Sequence, residues 1–399
     1  MAKRRRRRGL SLTGTIIAFI LIIAAALFQD QIDLDLTDDA DRIDETQFGD
    51  LQTISLDQGF GAGRDFWQVY FTAPGVNRDD ETACNGGVDA VIVNAIDTVQ
   101  SSLDIAAFEW DNPCLTDAVV RAANRGVRVR MVVDDVSTVH EHEDAVLFGD
   151  PSPFGDIIDA GIPYRDDARS GLMHNKFMIL DGSTVITGSM NFTLNGVYRN
   201  NNNLLFLRSR RTAEIYQAEF NEMFERGEFG SSRSTVDGGA FNQDGVPVRV
   251  NFSPEDQPVP VIEQEIRSAQ QSIRFMVFSF TRDDLGMALL DRAQAGVDVA
   301  GIFETTGSRT QFSELPRLLC AGVPVFQDGN PGIFHHKAFI IDSTTVITGS
   351  FNISENATTN NDENVVIIRD PDIAALYLAE YERARREATV PPAAEIVCP

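Results

Sequence analysis

The sequence predicts an α/β fold made of two duplicated halves, each with a mainly parallel sheet flanked by helices, that share one site at a pseudo-two-fold interface. Three observations support this prediction. A pattern of polar residues occurs twice, each copy lies on a short apolar run, and apolar segments typical of strands and helices alternate in the same order around both copies. The 399 residues, 43% hydrophobic and 23% charged, suffice for a large core or for two domains.

The repeated pattern is a histidine, a lysine two positions later and an aspartate, followed by Gly-Ser-x-Asn. The apolar residues 177–180 and 338–341 indicate buried strands, and alternate residues of a strand face the same way, so histidine and lysine are expected to project together. Residues 185–187 and 346–348 predict the second strand of a hairpin. The first copy contains His174, Lys176, Asp181, Ser189 and Asn191, and the second, 161 positions later, contains His335, Lys337, Asp342, Ser350 and Asn352.

Lysine is almost absent outside the two motifs. Of the 34 basic residues other than histidine, only Lys3, Lys176 and Lys337 are lysines. A chain that otherwise uses arginine keeps lysine at the two motif positions, which indicates that a compact point charge is needed there rather than a planar guanidinium.

The predicted elements follow the same order in each half, and they are here given by residue number. Strands are predicted at 67–71, 103–108 and 127–133 with helices at 88–99 and 115–125, and then strands at 248–252, 273–280 and 297–303 with helices at 261–269 and 285–295.

The first half carries about nine extra residues, which we place near residues 136–155. We expect a flexible loop beside the mouth of the site there. The run from His140 to Glu143 in this insertion could also be interpreted as a metal site, which we disfavour. Residues 226–245, rich in Gly, Ser and Asp, are expected to link the halves.

The N-terminus has the layout of an export signal. Residues 1–30 hold six basic residues and one acid, with an apolar run that includes residues 10–28, so they predict either a signal peptide or an N-terminal membrane anchor. Residues 31–60 are acidic and predict a solvated spacer. The two halves are expected at residues 61–230 and 246–390, outside the cytoplasm, either secreted or anchored to the cell membrane.

The four cysteines agree with export to an oxidising compartment. Among three possible pairings we predict Cys84 with Cys114 and Cys320 with Cys398, because this pairing follows the duplicated layout. No pair has Cys-x-x-Cys spacing, so a zinc site is not expected, and the sequence predicts no metal and no cofactor.

The two motifs resemble the signature of the phospholipase D superfamily, H-x-K-x4-D followed by G-S-x-N, at every defined position. The resemblance covers about residues 65–390. It implies a phosphodiesterase that works without a metal through a covalent phosphohistidine, with His174 as nucleophile and His335 as acid and base. Lysine, asparagine and serine of both motifs would bind the phosphoryl oxygens. Asp181 and Asp342 are expected to hold the hairpins, and His336 to be structural.

One departure from the family pattern concerns the carboxylate that follows the motif. The second half has Asn361-Asp362-Glu363, and the resemblance implies that Glu363 orients a catalytic imidazole. The first half has Asn202 at the matching position, which leaves open which histidine attacks phosphorus. Glu109 is either a substitute carboxylate or an exposed strand residue.

Three functions compete at this level. The first is a phospholipase D-type enzyme that hydrolyses or exchanges phospholipid head groups. The second is a metal-independent endonuclease, which the net charge of −25 disfavours because an acidic body repels DNA. The third is a non-catalytic phosphate-binding protein. Since one chain contains both half-sites, we expect a monomer, associated with a membrane through residues 10–28.

Overall fold

Two large sheets, one in each half, form the frame of the protein. The computed structural model describes residues 51–74, 84, 86–230, 234, 236 and 238–398. The predicted signal or anchor therefore lies outside the described residues, as does the acidic spacer up to residue 50.

The first sheet has nine strands in the spatial order β1-β2-β3-β9-β8-β7-β4-β5-β6. The strands are β1 (Gln52–Leu56), β2 (Gly59–Arg64), β3 (Trp67–Thr72), β4 (Ser102–Ala107), β5 (Arg128–Val133), β6 (Tyr164–Asp166), β7 (Lys176–Leu180), β8 (Thr184–Gly188) and β9 (Asn203–Arg208).

The second sheet has eight strands in the order β10-β11-β17-β16-β15-β12-β13-β14, which repeats that of the first sheet from β2 onward. Its strands are β10 (Gly239–Gln243), β11 (Val246–Ser253), β12 (Ser272–Val277), β13 (Asp298–Phe303), β14 (Val325–Gln327), β15 (Lys337–Ile341), β16 (Thr345–Gly349) and β17 (Glu363–Arg369).

Helices connect and cover these strands. In the first half they are α1 (Val88–Thr98), α2 (Pro113–Asn124), α3 (Glu141–Phe148), α4 (Pro153–Asp159), α5 (Leu194–Tyr198) and α6 (Arg210–Asn221). In the second half they are α7 (Pro258–Ser268), α8 (Asp283–Gln294), α9 (Glu314–Cys320), α10 (Glu355–Thr359) and α11 (Pro371–Glu387). The described residues also include two π-helical turns, Asp135–His140 and Glu222–Arg226, and a 3-10 turn, Ala393–Glu395.

The α/β class and the duplication are confirmed, but the prediction of mainly parallel sheets is wrong. Only β4-β5-β6 and β12-β13-β14 run parallel, and the other neighbours are antiparallel. The motif strand β7 joins β8 through a three-residue turn, and a connection that short can only join antiparallel neighbours. The alternation of strands and helices in the sequence holds only for the parallel part of each sheet.

Three segments predicted as irregular contain regular structure. Residues 52–56 form β1 and residues 59–60 begin β2; β1 pairs with β2, and β2 pairs with β3, so this part of the chain is not a spacer. Gly239–Gln243 of the predicted link pairs with β11 as β10. The insertion contains a π-helical turn, α3 and the start of α4 rather than a loop.

The core is organised in layers, and its central layer belongs to both halves. Tyr216 of α6 and Tyr377 of α11 lie in one hydrophobic cluster that also includes Phe177 of the first sheet and Phe252 of the second. Separate clusters join α1 and α2 to the outer face of the first sheet, and α7 and α8 to the outer face of the second. The halves therefore form one body.

Both predicted disulfides are present. Cys84 pairs with Cys114 and Cys320 with Cys398. Within the part of the chain that the structure describes, no helix has both the length and the apolar character needed to cross a bilayer.

Candidate active site

The two His-Lys pairs lie at corresponding edges of the two sheets. Lys176 and Lys337 are the first residues of β7 and β15, and they pair with Ala107 and Val277 at the carboxyl ends of β4 and β12. The polar residue that begins β7 therefore lies at the edge of the sheet where β4 and β5 end. This placement follows from the apolar run that makes β7 a buried strand.

The backbone of each motif histidine is held by the opposite half. The amide of His174 donates to the carbonyl of Asp362 at 3.0 Å, and the amide of His335 donates to the carbonyl of Asn201 at 2.9 Å. This exchange brings the motifs together at the interface of the halves, as the sequence predicted.

The four side chains are almost completely buried. His174 is 5% and His335 7% exposed, which leaves a narrow approach to the imidazoles. Burial lowers the pKa of both histidines well below 6.5, and the ammonium groups of Lys176 and Lys337 lower it further. Each lysine lowers the pKa of both imidazoles, so the four groups interact electrostatically as one site. Both imidazoles are therefore neutral at neutral pH.

Each motif lysine has the same environment. Its Nζ donates to the carbonyl of its own histidine at 2.7 Å and lies 4.7 or 4.8 Å from the ring centroid of Phe108 or Phe278. Burial lowers the pKa of Lys176 to about 8, while the carboxylates of Glu363, Glu109 and Asp134 act in the opposite direction. The pKa of Lys337 is also lowered, by burial and then by Lys176.

The imidazoles differ in the group behind them. Nδ1 of His174 lies 2.7 Å from Oε2 of Glu363, whereas Nδ1 of His335 lies 3.0 Å from Oδ1 of Asn202. Asn202 donates its amide N–H to the carbonyl of Gly196, which turns Oδ1 toward His335 and assigns the proton of that ring to Nδ1. Nε2 of each ring is left to face a substrate.

Glu363 is a buried acid in a cationic site. Burial raises its pKa to about 8, and Lys176, Ser350 and Asn361 act to lower it. Positive charge that develops on His174 favours the ionised carboxylate. His174 thus has a titratable carboxyl group at Nδ1, whereas His335 has a neutral amide there.

The motif serines hydrogen-bond to the groups behind the imidazoles. Ser350 Oγ donates to Oε2 of Glu363 at 2.7 Å, and Ser189 Oγ donates to Oδ1 of Asn202 at 2.8 Å. Each hydroxyl also accepts from a backbone amide, that of Asn364 or Asn203. The hydroxyls thus hold the residues behind the imidazoles, and a role of the serines in binding phosphoryl oxygens stays a prediction.

The motif asparagines keep hydrogen-bonding capacity. Oδ1 of both Asn191 and Asn352 is buried without a hydrogen-bond partner among the described residues. Nδ2 of Asn191 donates to the carboxylate of Glu109. Glu109 is therefore part of the site, not an exposed strand residue, but it contacts the asparagine rather than an imidazole. Burial raises its pKa, against the lowering by Lys176 and Asn191.

Asp181 and Asp342 lie away from the imidazoles, as predicted. The carboxylate of Asp181 accepts from the backbone amides of Gln100, Ser101 and Ser102, and Asp342 accepts from the three equivalent amides before β12. Burial by itself raises their pKa, but these hydrogen bonds lower it overall. Both residues fasten the motif hairpin to the start of the neighbouring strand.

Two acids that hold the motif segments were not found in the sequence. Asp134 follows β5 and accepts the amide of Met173 at 3.2 Å, and Glu304 follows β13 and accepts the amide of Phe334 at 2.6 Å. Each therefore positions the residue before a motif histidine. Their equivalent positions at the ends of corresponding strands were a signal that could have revealed them.

One acidic cluster in the described part of the chain has the spacing of a metal site. Carboxylate oxygens of Asp134, Asp135 and Asp167 lie within 4.8 Å of one another. Backbone amides donate to Asp134 and Asp167, and Arg169 Nε lies 3.4 Å from Asp167. These contacts satisfy part of the cluster, while Oδ1 of Asp135 and Oδ2 of Asp167 are buried without a hydrogen-bond partner among the described residues.

His336 is structural, as predicted. Its Nε2 lies 3.0 Å from Oε1 of the buried Glu380, which also pairs with Arg383 at 2.8 Å.

Two His-Lys motifs joined across the interface of duplicated halves define a phospholipase D-type site. The family described as "Cardiolipin synthase, PLD-like domain" matches residues 92–224 and 262–385, more than half of the chain. The chain belongs to this family, within the phospholipase D superfamily.

Individual relatives match over part of the chain. The mitochondrial cardiolipin hydrolase of Xenopus tropicalis is 34% identical over 126 residues, which are 32% of this chain and 56% of that protein. The phospholipase D of Rickettsia bellii is 35% identical over 130 residues, 33% of this chain and 65% of that protein. The chain thus spans less than two thirds of the length of these relatives.

The likeness to solved structures extends over both halves. The phosphatidylserine synthase of Haemophilus influenzae Rd KW20 matches with a TM-score of 0.56 at 14% identity, over 87% of this chain and 90% of that one. This likeness shows the shared fold.

Proposed function

We propose that the protein is a phospholipase D-type phosphodiesterase that cleaves or exchanges phospholipid head groups through a phosphohistidine. The observation that carries the proposal is the buried convergence of two neutral imidazoles and two lysines from opposite halves, each imidazole with a defined partner at Nδ1. The cardiolipin hydrolase and phospholipase D relatives support phospholipid as the substrate class.

His174 is the nucleophile in this proposal. Its Nε2 attacks phosphorus while the bond to the leaving oxygen breaks, and the ring becomes cationic. Glu363 at Nδ1 stabilises that charge, whereas Asn202 offers His335 only a neutral dipole. The lysines and the motif asparagines stabilise the charge on the phosphoryl oxygens.

His335 transfers the protons. Its lowered pKa in the free protein leaves it neutral, but the negative charge of a bound phosphodiester raises its proton affinity. The protonated ring gives its proton to the leaving alcohol oxygen. The neutral ring then takes a proton from water or an alcohol, which attacks phosphorus and breaks the bond to His174.

Location and assembly belong to the same proposal. Two disulfides support an oxidising compartment, and the basic and apolar N-terminus supports a position outside the cytoplasm, either secreted or attached to a membrane. Because one chain supplies both half-sites, a monomer suffices for activity.

The test uses the full chain in EDTA with phosphatidylcholine vesicles and single-stranded DNA in parallel. His174→Ala and His335→Ala should each lower head-group release by at least about 10²-fold, and His140→Ala, an exposed histidine outside the site, should leave it unchanged. DNA cleavage without lipid turnover would instead establish a nuclease.

A second arm tests the roles of the two histidines with a p-nitrophenyl phosphodiester, whose leaving group needs no proton. His335→Asn should release one equivalent of p-nitrophenol in a burst and retain phosphate on His174, while His174→Asn should give no burst. A burst from His174→Asn would reverse the assignment.

A further inference from the structure

The described part of the chain exposes few large apolar side chains, and most of them lie on segments that flank the site. Four belong to the insertion of the first half, one to the matching connection of the second half, and one lies two residues before His335. These are Val136, Val146, Leu147, Phe148, Phe312 and Ile333, here called the apolar rim.

The insertion starts at the site. It follows Asp134, whose carboxylate holds the amide of Met173, and Thr138 Oγ1 donates to the carbonyl of Phe108 at 2.9 Å. The carboxyl of Glu141, at the start of α3, has its pKa raised by burial and then by the nearby Glu109. The first turn of α3 therefore lies near the mouth of the site.

The second half presents its matching connection in the same way. Glu304 follows β13 and accepts the amide of Phe334, and residues 305–313 lead from it to α9. Phe312, which is 69% exposed, lies on this connection, and Ile333 is adjacent to Phe334. The duplication thus places apolar side chains on both sides of the two histidines.

Helix α3 packs on the protein through the ring of His142, whose centroid lies 6.1 Å from that of the buried Phe154. None of its residues is buried, and its last turn exposes Val146 at 63%, Leu147 at 75% and Phe148 at 76%. A surface helix of a soluble domain normally buries an apolar stripe, so a helix with its apolar turn in water indicates a surface that becomes covered by a partner.

Charge selects among the partners. The first turn of α3 carries Glu141, Glu143 and Asp144, and the chain has a net charge of −25. An anionic surface or a nucleic acid is repelled by these groups, whereas a zwitterionic phospholipid surface offers ammonium groups above an apolar interior.

We propose that the apolar rim inserts into a zwitterionic phospholipid surface and seats the active site over the head groups. The proposal rests on the proposed function, since it assigns the rim to the same substrate. It predicts that the rim controls access to lipid in a membrane but not the chemistry of a dissolved lipid.

A local fluorescence measurement on the full chain tests insertion independently of N-terminal attachment. The native Trp67 and Trp110 are 1% and 4% exposed and should respond little to lipid. Phe148→Trp should be quenched at least twofold by phosphatidylcholine vesicles brominated in the acyl chains, and Met287→Trp, at a 41% exposed position on α8, should not. Absence of quenching from Phe148→Trp in vesicle-bound protein would overturn the proposal.

Kinetics separate this proposal from the proposed function. Leu147→Gln with Phe148→Gln should slow head-group release from vesicles at least tenfold and leave the rate on a short-chain phosphatidylcholine below its micelle concentration within twofold. Equal losses on both substrates, or no loss on vesicles, would contradict membrane seating. If the unmodified protein turns over neither lipid but Phe148→Trp is quenched, the proposed function fails while the surface proposal stands. If Phe148→Trp binds no vesicles, a protein partner becomes the occupant to seek.

Discussion

Asn202 and Glu363 occupy equivalent positions, yet they give the two imidazoles different chemistry. Both receive a motif serine and contact Nδ1 of the histidine from the opposite half. A carboxylate can follow charge that appears on a ring, and an amide cannot. The asymmetry therefore divides the work of a nearly symmetric site.

The pH dependence of kcat/KM should report the protonation state of the buried Lys176. With a p-nitrophenyl phosphodiester, the proposed mechanism needs neutral His174 and charged Lys176. The pKa of His174 lies well below 6.5, so activity should persist at mildly acidic pH, and it should fall as pH rises through about 8, where Lys176 loses its proton.

Glu363→Gln tests whether the alkaline limb of kcat/KM comes from deprotonation of Lys176. Burial lowers the pKa of Lys176 and the charge of Glu363 raises it, so removal of that charge should move the alkaline limb to lower pH. Measurement of kcat/KM from pH 5 to 10 for the unmodified protein and for Glu363→Gln tests this shift. An alkaline limb that stays in place or moves upward in Glu363→Gln would show that another group titrates.

The sequence predicted the motif residues and their meeting, but not all of their contacts. Spacing on a strand is a local property, so it placed His174 beside Lys176. The bonds from Ser350 to Glu363 and from Asn191 to Glu109 join distant segments, and their partners depend on how the sheets pack. For this reason the hydrogen bonds of the serines were not predicted, and the role of Glu109 was left open.

At the level of elements, the central helices differ in how they manage buried charge. In α11, Arg383 donates to Glu380 at 2.8 Å, and the same carboxylate contacts His336. Burial raises the pKa of Glu380, but Arg383 and His336 lower it to about 2. The matching helix α6 carries Glu219, and Glu222 follows it in the place of Arg383. In the second half the buried Glu380 is thus paired with an arginine three residues later, whereas in the first half that position holds a second acid, Glu222, which pairs with Arg226.

Arg383→Met should destabilise the protein by about 3–5 kcal/mol, because it leaves Glu380 buried without its cation. Urea denaturation measures the change. The matched control is Arg267→Met on α7, where solvent screens the ion pairs of an exposed arginine and the substitution should change the free energy of unfolding far less. Similar losses for the two substitutions would refute a special role for the buried pair.

The sequence predicted strands and helices correctly where the pattern of a single segment defines them. It failed where the structure depends on pairing between distant segments. Residues 67–71 and 103–108 were predicted as strands and lie in or overlap β3 and β4. Strand direction follows from which strands become neighbours, and the hairpins of the motifs make most pairs antiparallel. The short strands β1 and β2 look polar or glycine-rich in sequence, and they gain their structure because β2 pairs with β3 and β1 pairs with β2.

At the level of the whole molecule, the two halves depend on each other. Each motif histidine takes its backbone partner and its Nδ1 partner from the opposite half, and α6 and α11 share one core. The duplication alone predicted one shared site. The duplication could not show that the groups which hold each motif histidine come from the opposite half, so that either half alone would lack them.

The excess of acidic residues should make stability depend on salt. With 59 acidic against 34 basic residues, repulsion within the folded chain outweighs the weak gain from exposed ion pairs. Because the screening length falls from about 30 Å at 0.01 M salt to about 8 Å at 0.15 M, added NaCl should raise Tm by a few degrees, mostly below about 0.3 M. Differential scanning calorimetry across this range measures the shift. A rise that appears only at molar salt would indicate exclusion of the salt from the protein surface instead, and a fall in Tm would mean that ion pairs dominate the electrostatics of the fold.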